Sequence, residues 1–326
     1  MRLLLFLAAA LTAFAAEPGR LPAVPPGGGL PPALAAARRI VVLGDSITYG
    51  GTYVDFVEAV VRLRVPGWRG EIIGLGLSSE TVSGLSETGH AGGKFPRPDL
   101  HERLARILAQ TQPDVVLACY GMNDGIYFPL AEERFAKFRD GMHRLRAAVS
   151  AAHATLIHVT PPVFDPQPIA AKTLPAGLDA YPKPFAGYND VLGRYSAWLV
   201  AQRAQGWDVI DAHGLMSASL ARLRTQDPTF TFSKDGVHPD ALGHAVIARA
   251  ILTAWGLRPD DGELLAHLAT HPDGELLTLV RTRRKLLMHA WLTATGHTRP
   301  GVPAGLPLAE ANAQAAAIGE KIRTLK

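Results

Sequence analysis

Arg39-Ile40-Val41-Val42-Leu43-Gly44-Asp45-Ser46-Ile47 is the stretch whose reading decides the fold. Its apolar part is short, rich in β-branched residues and without polar alternation, as expected of a strand covered on both faces of a parallel sheet. The run stops at a glycine and delivers Ser46 to the sheet edge before a helical pattern begins at Thr52. Four similar runs follow, over residues 71–75, 114–119, 154–159 and 207–210. Amphipathic runs with helical spacing separate them, over 52–64, 98–110, 131–152 and 185–205, and two more follow over 215–224 and 240–255. Strands alternating with helices predict an α/β fold: a three-layer α/β/α sandwich on a five-stranded parallel sheet. Ligands of such open sheets bind beyond the carboxyl ends of the strands, so the chemistry is expected there.

The flanks of this alternation read differently. Residues 1–16 have a basic start, a short apolar core and small residues at Ala15-Ala16, the three parts of an export signal, which predicts a periplasmic or extracellular protein. That apolar run is too short to span a bilayer, and no later stretch reaches the roughly 20 apolar residues a membrane helix needs. Residues 17–37 form a Pro/Gly/Ala-rich leader, which reads as extended over 18–32. The sandwich is expected over 38–257. After it, helical patterns over 261–269, 274–293 and 307–325 mark residues 258–326 as a helical C-terminal extension.

Composition is that of an ordinary soluble globular chain, 48% hydrophobic and 19% charged over 326 residues. A formal charge of +4, one less once Arg2 leaves with the signal, is too small and dispersed for a nucleic-acid partner. Cys119 is the single cysteine, so no internal disulfide supports an exported chain; it sits in an apolar strand as a core residue.

Three further segments give Ser46 company. Asp235-Gly236-Val237-His238-Pro239 places an acid three residues before a histidine, a spacing that holds one ring nitrogen and turns the other toward a serine as general base. A histidine with a pKa near ~6.5 suits that role at neutral pH. The structural reading of the same segment is a helix-starting turn capped by Asp235. Gly121-Met122-Asn123-Asp124 follows the third strand and offers an amide to a developing oxyanion. Gly74-Leu75-Gly76-Leu77-Ser78-Ser79 follows the second, where Gly76, without a side chain, lets its N–H approach the same point. Together these residues meet the roles of acyl transfer: a nucleophile, a base with its orienting acid, and oxyanion donors.

In order and spacing the four segments resemble the blocks of the SGNH hydrolases, also called the GDSL family of esterases and lipases, over about residues 39–255. The resemblance implies a flavodoxin-like SGNH fold with Ser46, Asp235 and His238 as catalytic triad and an oxyanion hole from Ser46, Gly76 and Asn123. It implies hydrolysis through an acyl-enzyme on Ser46, with neither metal nor organic cofactor. One block departs from the pattern: where the family commonly has Asn-x-Gly-x-x-Gly, Gly74 stands for the Asn and Ser79 for the last Gly, which puts the local loop shape in question. The segments after it, Ser79-Glu80-Thr81 and His90 to Pro98, resemble a bacterial exported subgroup found among polysaccharide degraders.

Export and that subgroup point to a carbohydrate O-acetylesterase acting on acetylated polysaccharide or oligosaccharide. Lipase, lysophospholipase or thioesterase activity, transfer to an acceptor other than water, and a non-catalytic carbohydrate-binding role are the alternatives. Asp45, Tyr49, His90, Tyr120 and Tyr127 are candidates for substrate contact, with ordinary packing the alternative for the tyrosines, whereas His153 and His158 read as structural residues. The basic run Arg281, Arg283, Arg284 and Lys285 reads as a solvated helix face. The twelve histidines show no metal-ligand spacing.

Overall fold

Five of the short apolar runs are strands: β1 Arg39–Gly44, β2 Glu71–Gly74, β3 Val115–Cys119, β4 Thr155–Val159 and β5 Asp208–Ile210. All pair in parallel, in the order β2-β1-β3-β4-β5. The register sets Val42 beside Gly74 and Gly44 beside Cys119, so the segments after β1, β2 and β3 leave the sheet side by side. Every residue of β3 and all but the first of β1 are buried, as the absence of polar alternation predicts. The computed structural model describes residues 29–325 apart from 66, 258, 260 and 270–272. The expected export signal over 1–16 lies outside the described residues.

The helices are α1 Pro32–Ala36, α2 Ser46–Gly50, α3 Thr52–Arg64, α4 Leu100–Thr111, α5 Glu132–Ala151, α6 Tyr188–Ala201, α7 Ala212–Arg224, α8 Ala241–Ala254, α9 Asp261–Ala269, α10 Asp273–Thr295 and α11 Leu308–Thr324. Asp99, Asp211 and Asp240 cap α4, α7 and α8 by accepting backbone N–H groups of the first turn. Helices α3 and α8 pack on one another, and α4 packs on α5, where Phe138 stacks on Tyr195 of α6 at 4.4 Å. These are the two outer layers of a sandwich whose core is the sheet. No helix among the described residues is long and apolar enough to cross a membrane.

At the end of the leader, α1 docks with Leu34 and Ala37 buried, and the Trp68 indole N–H donates to Leu34 O at 3.2 Å; one buried leucine is enough to seat a single helical turn. One expectation needs correction: the basic run on α10 is not a solvated face. Arg283 and Arg284 are buried, Arg284 and Arg281 pair with Asp55, and Arg283 pairs with Glu58 and Glu71. Asp55 and Glu58 lie on the buried side of α3, and charges taken out of water are tolerated only when paired. α10 thus runs along the open edge at β2, between α3 and α4, where Arg106 of α4 donates to Thr295 O at 2.6 Å.

Candidate active site

The turn that carries Ser46 is built by its neighbours. Asp45, in extended conformation, accepts the Ile47 N–H on Oδ1 at 2.9 Å and so caps α2, of which Ser46 is the first residue. Gly51, at φ 72°, closes that single turn and starts α3. Gly76 lies against the turn so closely that a Cβ on it would stand 2.3 Å from Tyr49 N. Leu75 and Leu77 donate to Val42 and Gly44, whereas the Gly76 N–H has no acceptor among the described residues. That leaves it available beside Ser46.

Across the mouth of the sheet, Ser46 Oγ is 2.8 Å from His238 Nε2, and His238 Nδ1 is 2.7 Å from Asp235 Oδ2. The other Asp235 oxygen accepts the N–H groups of Val237 and His238 at 2.9 and 2.8 Å. Partial burial would raise this carboxyl, but the His238 N–H, the His238 ring and the Val237 N–H outweigh burial and hold it below the usual carboxylate range. The capping role expected of Asp235 belongs to Asp240 instead, since α8 begins at Ala241; Asp235 caps only the turn that presents His238. With Nδ1–H directed at Asp235, Nε2 is the acceptor facing the Ser46 hydroxyl, an assignment made from these partners.

Asn123 reaches the same edge. Its Nδ2 donates to Glu80 O at 3.2 Å, its Oδ1 accepts the Tyr127 hydroxyl at 3.1 Å, and the second Nδ2 hydrogen remains for a ligand. Tyr127 stacks on Tyr188 with centroids 4.8 Å apart and has the Arg97 guanidinium 5.4 Å from its ring. Ile126 and Tyr127 both have positive φ, 49° and 60°. Consecutive non-glycine residues in that region, one β-branched, are strained backbone held by its surroundings.

Beneath these residues lies a layer of buried acids that sequence reasoning missed. Glu80 pairs with Arg103 at 2.6 Å and accepts the Tyr120 hydroxyl at 2.6 Å; Arg103 also donates to Leu75 O, next to Gly76. Asp124 accepts the N–H groups of Val82 and Ser83, both at 2.8 Å, tying the Asn123 loop to the segment after Gly76. Burial pushes Asp124 up to about 6 and Asp45 up to about 7, in the latter case against the Ile47 N–H and with repulsion from Asp124. The only signal for this layer was position: Glu80 and Asp124 stand immediately after the glycine and asparagine segments.

The candidates for substrate contact divide. Asp45 is 3% exposed and serves the α2 cap, which removes it from the substrate surface. Tyr127 holds Asn123. Tyr49 faces α10, its hydroxyl 3.4 Å from His289 Nε2. His90 bonds Glu87 at 3.2 Å and meets Phe95 edge-on, so its contacts lie in its own loop. Tyr120 and His158 are buried, the latter stacked on Trp207. Ser79, where the family pattern has glycine, adopts φ 70°, so the loop keeps a left-handed residue at that position.

A model of the GDSL-like lipase/acylhydrolase family matches residues 42–246. Similar solved structures include a gut microbial diltiazem-metabolizing enzyme, 21% identical with a TM-score of 0.51 over 69% of this chain and 49% of that one. This chain therefore spans about half the length of that enzyme. Two variants of Axe2 from Geobacillus stearothermophilus are also similar. One, an acetyl-xylooligosaccharide esterase, is 19% identical with a TM-score of 0.51, covering 69% and 96% of the two chains. The other, an acetyl xylan esterase, is 20% identical with a TM-score of 0.51, covering 70% and 99%. At these identities the likeness is one of fold. No curated protein matches the sequence.

Proposed function

Because this chain belongs to the GDSL-like lipase/acylhydrolase family, we propose that it is an ester hydrolase with Ser46 as its nucleophile, acting with His238 and Asp235 on an acetyl ester of a polysaccharide or oligosaccharide outside the cytoplasm. The observation that carries the reading is the pair of bonds at 2.8 and 2.7 Å that join Ser46, His238 and Asp235 at the carboxyl end of the sheet.

In this reaction the Ser46 hydroxyl gives its proton to His238 Nε2 as Oγ attacks the ester carbonyl, while Asp235 stabilises the imidazolium that forms. The tetrahedral oxyanion is received by the N–H groups of Ser46 and Gly76 and the Asn123 amide. Collapse expels the alcohol, which takes the proton from His238 and leaves an acetyl-enzyme. Water then attacks with His238 as base, and acetate leaves Ser46 with its proton restored.

One feature supports a bulky alcohol: the side chains of His238 and Asp235 are 51% and 58% exposed, so the site is open to a polymer. The export pattern of residues 1–16 supports the location.

Acid release from acetylated xylan, acetylated pectin, O-acetylated peptidoglycan and phospholipid, measured for the native chain and for Ser46→Ala, tests the proposal. Acetate should come from at least one glycan and disappear with Ser46→Ala. Hydrolysis unchanged in that variant would refute the assignment of Ser46, and activity confined to long-chain phospholipid would refute the substrate class.

A further inference from the structure

We propose that Arg284, on α10 and outside the family-matched residues, is a positioning residue for the nucleophile turn. The inference rests on the reading of Ser46 as nucleophile. Arg284 is 1% exposed, and its Nη2 donates to Gly50 O, on the last residue of α2, at 2.8 Å. The same guanidinium reaches Asp55 on α3, with Nε 2.5 Å from Oδ1 and Nη2 3.3 Å from Oδ2.

Glycines shape its seat. A Cβ on Gly51 would stand 2.4 Å from Arg284 Cζ, and one on Gly74 would meet the Arg284 stem at 3.5 and 3.6 Å. Gly74 is the position where this chain departs from the asparagine of the family pattern; a longer side chain there would run into the arginine. Two more contacts join the same region to the site. His289 lies 3.4 Å from the Tyr49 hydroxyl, and Arg299 donates to Ser78 O, two residues after Gly76, at 3.2 Å.

A helix of one turn is marginal by itself and leaves its last carbonyls unsatisfied. Arg284 supplies a donor at that end while Asp45 supplies an acceptor at the other. The pitch of the turn, and with it the direction of Ser46 Oγ toward His238, is then set from both ends. Misplacement of a reacting group by about an ångström costs up to ~10²-fold in rate. A salt bridge to Asp55 alone would stabilise the fold without touching the geometry of the reaction, which is the distinction to be tested.

Steady-state kinetics on a chromogenic acetyl ester should be compared for the native chain, Asp55→Asn, Arg284→Lys, and the double variant Asp55→Asn with Arg284→Met, which leaves no unpaired buried charge. With each shown folded by circular dichroism and assayed well below its melting temperature, the double variant should lose ~10–100-fold in kcat with KM within about twofold. Labelling of Ser46 by a phosphonylating reagent should slow in parallel. Asp55→Asn, which keeps the bond to Gly50, should stay within about threefold of native kcat. Arg284→Lys keeps a cation for Asp55 but does not span both partners, and should lose about tenfold even if the double variant fails to fold. Native kcat in the folded double variant or in Arg284→Lys, or an equal loss in Asp55→Asn, would overturn the proposal. Retained hydrolysis in Ser46→Ala would instead remove the nucleophile assignment, a failure that shows separately.

Discussion

The two halves of the proposed triad are held in opposite ways. Ser46 stands on a turn capped by buried Asp45, pressed by Gly76 and tied at its far end by buried Arg284, and the neighbouring Asn123 is 4% exposed. His238 and Asp235 face solvent by half, and they hold one another through bonds within four residues of chain. The difference follows from what each half does. The nucleophile and oxyanion donors must already sit where charge develops, which needs a rigid, desolvated support. The base exchanges protons with water and admits the alcohol, so it stands at the surface, where a carboxylate alone orients it.

The contrast predicts that exposed residues carry large effects on rate and little on stability, whereas buried ones carry both. Asp235→Asn should break the account most sharply: a fall of ~10⁴-fold in kcat, from loss of the tautomer that aims Nε2 at Ser46, with a stability cost of only about 1 kcal/mol. Kinetics and thermal melting on one sample check both halves. Gly76→Ala should lower kcat by ~10²–10³-fold and also cost ~1–3 kcal/mol, because its Cβ meets the backbone of α2 rather than a side chain that can move.

Tyr127→Phe sharpens the comparison inside the buried half. It removes the hydroxyl that holds Asn123 Oδ1 and should cost up to about tenfold in kcat. In an Asn123→Ala background it should cost nothing further, since the group it orients is gone; additive losses would exclude the role.

The last effect bears on stability alone, through pH. An unfolded Asp45 ionises near ~3.9, but in the native chain burial moves it to about 7. Between these values the native state binds the extra proton, so this group makes stability fall as pH rises toward 7 and adds nothing more above it. Asp45→Asn keeps an acceptor for the Ile47 N–H and should flatten that part of the profile, raising stability at pH 8 relative to the native chain by up to ~4 kcal/mol. A denaturation series from pH 4 to 8 measures it, and an unchanged slope would contradict the assignment.

What could be read in the sequence was whatever depends on neighbours along the chain. The run from Ile40 to Leu43 and its four counterparts carry their strand character locally, and the spacing over 52–64 defines α3 to the residue. The blocks around Ser46, Gly76 and Asn123 follow the ends of β1, β2 and β3, so topology alone brings them together, while His238 stands in the segment between α7 and α8. What could not be read depends on partners far away. Asp55 and Glu58 look like ordinary polar positions until α10 brings Arg281, Arg283 and Arg284 against them from more than 220 residues later. Charges interrupting the apolar face of α3 were the available sign, since buried acids demand a cation. The single turn of α2 escaped because its length gives no period to detect.

The central claim is that Ser46, activated by His238, carries the acyl group. Intact-mass and peptide-level mass spectrometry of the chain trapped with a serine-phosphonylating ester analogue tests it most directly. One adduct per chain on the peptide containing Ser46, absent in Ser46→Ala and formed far more slowly in His238→Ala, is the predicted result. An adduct on another residue, or full hydrolytic activity with Ser46 unlabelled and replaced, would contradict it.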